Sequence, residues 1–144
     1  MAGETKERIL SAALELFAQS GYLGTSMSDI AKQLGLTKAA LYKHFPSKQS
    51  ILDQIVAHMN QLDEQRAQDY QMPLARDSGA AQAYLQAPAD KIRAYTLAQF
   101  AHWTQEPFSA AFRRMLTLEQ YHDPALGQLF QTYLASGPTK YMAE

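Results

Sequence analysis

The chain has no cysteine. That excludes disulfides, thiolate chemistry and cysteine-based zinc sites, and it suits a cytoplasmic protein. Long apolar runs are missing too. Stretches such as Ile9-Leu10 and Leu34-Gly35-Leu36 fall far short of the roughly 20 residues of a membrane span, so no membrane partner is expected. Met1 to Lys6 has no apolar segment of the kind that opens a secretory signal. His44, His58, His102 and His122 lack metal-ligand spacing, so no metal is expected. Glycine-rich phosphate loops, a Gly-x-Ser-x-Gly turn and clustered acid pairs are absent as well. No cofactor, catalytic residue or enzymatic activity is therefore expected.

Excess positive charge is also lacking: the net charge is −1, which on its face argues against nucleic acid. Its distribution says otherwise. Lys32, Lys38, Lys43 and Lys48 fall within a short stretch where Asp29 is the only acid nearby. A local basic stripe binds phosphates even on a nearly neutral protein.

What the chain does have is helical periodicity. Ile9, Ala13, Leu16 and Phe17 form one apolar stripe, predicting a helix over about 6–20 that Gly21 ends. Ser26 with Asp29 three residues on fits a capping box. The short helix that follows carries Met27, Ile30, Ala31 and Leu34 on one face, and Gly35 stops it. Thr37 is a good N-cap for a third helix from Lys38 to about His44. Phe45-Pro46 breaks that helix, because a residue before proline disfavours the helical region. Ser47 caps a long fourth helix with Leu52, Ile55, Met59 and Leu62 inward. Pro73, Ser78-Gly79 and Pro88 then punctuate a loop with a short helix near 80–87. Further helices are expected from Pro88 to Pro107 (Ile92, Tyr95, Phe100, Trp103), from Phe108 to His122, and from Ala125 to about Ser136 (Leu126, Leu129, Phe130, Tyr133, Leu134) before Gly137-Pro138. No run alternates with the period of a strand, so the fold class is all-α.

Two short helices separated by Gly35 and a tight turn have the arrangement of a helix-turn-helix. On the third helix Leu41 and Phe45 must face the core. Ala39 and Lys43 then lie opposite, Ala40 and Tyr42 flank them, and Thr37 and Lys38 stand at the exposed start. Short residues allow close approach to a major groove, and lysine or threonine reaches base edges. Tyr42, His44, Lys48 and the free backbone N–H groups behind Ser26 and Ser47 suit phosphate. A plainer reading exists for each: solvated lysines, a tyrosine covering a helix junction, and Thr37 and Ser47 as caps only.

The run Ile9-Leu10-Ser11-Ala12-Ala13-Leu14-Glu15-Leu16-Phe17, then Gly21-Tyr22, Thr25-Ser26, Asp29-Ile30-Ala31, Leu34-Gly35-Leu36-Thr37-Lys38, Leu41-Tyr42-Lys43-His44-Phe45 and Ser47-Lys48 through Leu52 resembles the N-terminal domain of the TetR family of repressors. The resemblance implies a DNA-binding domain over 1–47 and a helical ligand-binding and dimerisation domain over 48–144. It implies a homodimer on double-stranded operator DNA, and repression relieved by a small-molecule effector. It carries base reading onto Thr37, Lys38, Ala39 and Lys43, and phosphate contact onto Thr25, Ser26, Tyr42, His44 and Lys48. The Phe112-Arg113-Arg114-Met115-Leu116 to Glu119 region is similar to the sixth-to-seventh helix region of some subfamilies. The family usually continues for two more long helices, which the sequence is expected to lack.

The effector is expected to be apolar or aromatic, with Met59, Tyr95, Phe100, Trp103, Phe112, Met115 and Glu119 as the candidate ligand-binding residues. Large residues at helical spacing are equally explained as plain core. Two other functions fit the composition: a helical interaction module that uses the same fold without DNA, and a small helical enzyme.

Overall fold

Serine, threonine and glycine set most of the helix limits between Gly21 and Ser47. The computed structural model describes residues 2–74 and 78–135. Helix α1 (Ala2–Ser20) ends at Gly21, whose φ of 81° is left-handed. The capping box forms: Asp29 N donates to Ser26 Oγ at 3.1 Å, and Ser26 N donates to Asp29 Oδ2 at 2.8 Å. It starts α2 (Met27–Leu34), which Gly35 closes at φ 66°. Thr37 accepts from Ala40 N at 3.1 Å and starts α3 (Lys38–His44), with Phe45 as an extended C-cap. Ser47 accepts from Ser50 N at 3.1 Å and opens α4 (Lys48–Asp69), whose 22 residues extend about 33 Å.

The body adds α5 (Ala80–Gln86), α6 (Ala89–Gln105), α7 (Pro107–Glu119) and α8 (Pro124–Phe130), then a π-helical turn over Gln131–Ala135. No strand occurs among the described residues. Four boundaries differ from expectation. Helix α1 begins at Ala2 rather than near Lys6. Pro107 begins α7 rather than only ending α6, because proline's fixed φ suits a first helical turn. Helix α7 stops at Glu119 instead of His122. Helix α8 keeps α-geometry only to Phe130. The expected stop at Gly137-Pro138 lies outside the described residues.

One continuous core joins the first four helices to α7 and α8. Ile9, Ala13 and Phe17 of α1, Ile30 of α2, Leu41 of α3 and Ile55 and Met59 of α4 join Phe112, Met115 and Leu116 of α7 and Leu126 of α8. Helix α7 makes the most extensive helix–helix contact of the fold, along α1. Among the described residues, no helix is long and apolar enough to cross a membrane.

Candidate nucleic-acid interface

The burial of α3 fixes what it presents. Leu41 is 0% and Phe45 4% exposed, so the helix is pinned to the core along that edge. Thr37, Lys38, Ala39 and Lys43 are all exposed, and Tyr42 is 44% exposed beside them. Ala40 and His44 are half-buried at the flanks. The helix thus offers a narrow face of one alanine, one threonine and two lysines. Ser26 and Ser47, both exposed, stand at the starts of α2 and α4.

Two of the expected phosphate-contacting side chains are engaged inward. Thr25 is 3% exposed, and its hydroxyl donates to Gly21 O at 2.8 Å and reaches Leu16 O at 3.3 Å. It ties the α1–α2 loop together rather than presenting its hydroxyl outward. Lys48 is half-buried; its Nζ donates to Tyr22 O at 2.7 Å and to Thr25 O at 3.0 Å, and lies 4.3 Å from the centre of the Tyr22 ring. Burial pulls the Lys48 ammonium below the ordinary lysine range, while the charge of Glu119 pushes it the other way. Burial and the charge of Asp123 raise the Tyr22 phenol.

The seven candidate ligand-binding residues do not gather in one place. Trp103, Phe112 and Tyr133 form an aromatic cluster, with Phe112 edge-on to Tyr133 at 5.2 Å and Trp103 at 6.4 and 6.2 Å from the two. Met59 lies 3.9 Å from Ser109 Oγ, and Met115 is fully buried in the same core. Tyr95 is buried farther along α6, against Tyr70 at 5.8 Å. Phe100 is 66% exposed, so it does not meet the inner face of α4. Five residues after Tyr95 a helix has turned about 140°, so both rings cannot face one core. Glu119 is remote from these rings in function: it sits against Gly21 at the end of α1. Two open surface depressions lie on the N-terminal unit, one lined by Leu16, Thr25, Asp29 and Lys32, the other by Glu7, Arg8 and Leu34.

Beside the aromatic cluster runs a polar strip that sequence reasoning missed. The Ser109 hydroxyl, fully buried, lies 2.7 Å from His102 Nε2. Glu106 Oε2 accepts from Ser109 N at 2.8 Å. Arg66 donates to Gln99 and pairs with Asp63, Gln99 Nε2 donates to Tyr95 at 3.1 Å, and the Tyr133 hydroxyl donates to Asn60. Burial, with the charge of Arg66, holds His102 down at about 4, so the ring is neutral at pH 7. The signal was present on α7. Ser109 precedes Phe112 by three residues and Glu119 follows Met115 by four, so both polar residues share the buried stripe. Among the described residues no group of histidines and carboxylates is placed to hold a metal.

The profile of the family described as "Bacterial regulatory proteins, tetR family" matches residues 9–55. The chain is similar to the biofilm operon icaADBC HTH-type negative transcriptional regulator IcaR of Staphylococcus aureus (strain Newman), 49% identical over 51 residues, which is 35% of this chain and 27% of that protein. It is similar to the HTH-type transcriptional regulator LmrA of Bacillus subtilis (strain 168), 36% identical over 84 residues, 58% of this chain and 45% of that protein. These matches thus span less than half the length of either relative. Among solved structures the flavonoid-responsive regulator FrrA superposes with a TM-score of 0.53 at 29% identity, covering 98% of this chain and 64% of that one. Motif spacing, helix limits and an outward-facing third helix all agree with these likenesses: residues 9–55 match the tetR family of bacterial regulatory proteins.

Proposed function

We propose that this chain is a sequence-specific DNA-binding transcriptional regulator, acting as a repressor. One observation carries the reading: α3 is held by buried Leu41 and Phe45 while Thr37, Lys38, Ala39, Tyr42 and Lys43 stand exposed. A helix docked in this way enters the major groove with its N-terminal half against base edges. Residues 1–47 form the reading unit and 48–144 the body. Thr37, Lys38, Ala39 and Lys43 read bases; Ser26, Tyr42, His44 and the backbone near Thr25 meet phosphates, and Lys48 joins them only by giving up its loop carbonyls. The protein works in the cytoplasm as a homodimer, because two reading helices about 34–36 Å apart reach successive major grooves.

The regulatory half of the proposal is a small aromatic or apolar effector that binds the body and lowers operator affinity. The cluster of Trp103, Phe112 and Tyr133, flanked by neutral His102 and by Asn60, supports this chemistry. The likeness to a regulator described as flavonoid-responsive supports it too. The rings pack on one another, so the effector parts Trp103 and Tyr133 from Phe112 as it enters. By linkage, operator DNA weakens effector binding by the same factor.

Footprinting on the DNA flanking the coding region tests the first half. A protected inverted repeat is expected, with affinity falling on a log–log salt slope of roughly −0.9 per phosphate contacted. Lys43→Ala should cost ~1–3 kcal/mol and relax specificity at one position, and Tyr42→Phe should weaken all sequences alike. A chain that ignores DNA at every salt concentration removes the reading in favour of an interaction module.

A further inference from the structure

The turn between α1 and α2 is held from two sides. From the reading unit, Lys48 grips it through Tyr22 O and Thr25 O. From the body, α7 ends on it: a Cβ at Gly21 would stand 2.2 Å from Glu119 Oε1 and 3.4 Å from its Cδ. Glu119 is 5% exposed, and its Oε2 is buried with no hydrogen-bond partner. A buried carboxylate oxygen without a partner is costly, so its persistence calls for a reason. The two contacts fall on neighbouring residues, Glu119 against Gly21 and Lys48 on Tyr22 O, and the charge of Glu119 favours the charged lysine there.

We propose that Glu119 is a positioning residue for DNA binding: carried on the body, it holds the Lys48 ammonium turned in on the α1–α2 loop and away from phosphate. This rests on the DNA-binding reading above. An ammonium has three donors, and the two loop carbonyls take two of them here. A phosphate arriving at the start of α4 competes with those carbonyls and with the field of Glu119 for the same charge. Helix α7 also carries Phe112 of the aromatic cluster. A shift of α7 therefore changes both the ring packing and the distance from Glu119 to Lys48. Displacement in one direction strengthens the inward hold on the lysine; displacement in the other releases it.

The test is a double-mutant cycle on the full chain, with a labelled duplex of mixed sequence as the probe and binding measured across a salt series. Glu119→Gln keeps the shape and removes the charge. It is expected to tighten DNA binding about threefold or more and to steepen the salt slope by about one, the signature of one added phosphate contact. In a Lys48→Met background the same change is expected to do nothing, whereas a general loss of negative charge would act equally in both backgrounds. Thermal melting checks that each variant folds, and Glu119→Met replaces Glu119→Gln if the amide is not accommodated. If the parent binds DNA but Glu119→Gln leaves affinity and slope unchanged, or acts equally without Lys48, the inference fails and the DNA-binding reading stands. If the parent binds no DNA, both fail.

Discussion

Helices α1 to α4 and helices α5 to α8 are bounded in different ways. In the first group single side chains do the work: Ser26, Thr37 and Ser47 each accept a backbone N–H, and Gly21 and Gly35 turn left-handed at the ends. In the second, α5 and α6 begin with no side-chain cap at all, and α7 and α8 begin at prolines with Glu106 and Asp123 accepting behind them. The first group also sends most of its apolar residues inward and its lysines outward, Lys48 excepted. The body does the reverse at several points, exposing Leu97 and Phe100 while burying Ser109 and Glu119. A unit fixed by local signals carries its helix limits within its own short segments. A unit whose polar groups pair across helices depends on how those helices lie.

That contrast breaks most severely if the shared core is opened. Phe112→Ala removes a fully buried ring from α7 and should cost about 3–5 kcal/mol. Because Phe112 shares one core with Ile9 and Phe17, the loss should lower a single melting transition seen by both near- and far-ultraviolet circular dichroism. Two separate transitions, with only one of them shifted, would mean that the two groups of helices fold independently.

Comparing two glycines sharpens the same point. Gly35→Ala meets open space and should cost only the left-handed backbone penalty, about 1–2 kcal/mol. Gly21→Ala carries that penalty and also drives a methyl into Glu119, so its cost should be clearly larger in denaturant titration. Equal costs would show that the Glu119 side chain swings aside at this contact.

The smallest effect belongs to the body's polar strip. His102 titrates near 4 when folded against an ordinary value of 6.5, so between those limits the unfolded chain binds more protons. Stability is full above about pH 6.5 and falls on acidification towards pH 4. The melting temperature should drop by several degrees over that window, and His102→Gln should flatten the drop. The carboxyls of Asp29 and Glu106 are held below their ordinary range and release their contribution at still lower pH. An unaltered pH profile in His102→Gln would mean that the ring is hydrated and titrates normally.

Legibility followed the same divide. Caps and stops are written within four residues of where they act, so Ser26, Gly35, Thr37 and Ser47 were readable, as was the outward face of α3. The inward turn of Thr25 and Lys48 was not, because it depends on which carbonyls the α1–α2 loop brings within reach. In the body, periodicity located α5 and α6 but not the aim of Phe100, which is set by the choice of neighbour. Glu119 was read as a group that selects a ligand because aromatic residues precede it in the chain. In space its neighbour is Gly21, nearly a hundred residues away in sequence.

The contact between Gly21 and Glu119 also bears on exchange of parts between proteins. A chimera that joins the first three helices to a foreign body could be cut at the start of α4. The seam that must match lies elsewhere, where the end of the body's α7 fills the space a side chain at position 21 would occupy. A foreign body with a larger side chain at the position of Glu119 would press on the α1–α2 loop, and one with a smaller side chain would leave it unsupported. Grafts that keep Gly21 together with Glu119, by carrying the end of α7 along with the reading unit, should tolerate transfer better than grafts divided by sequence alone.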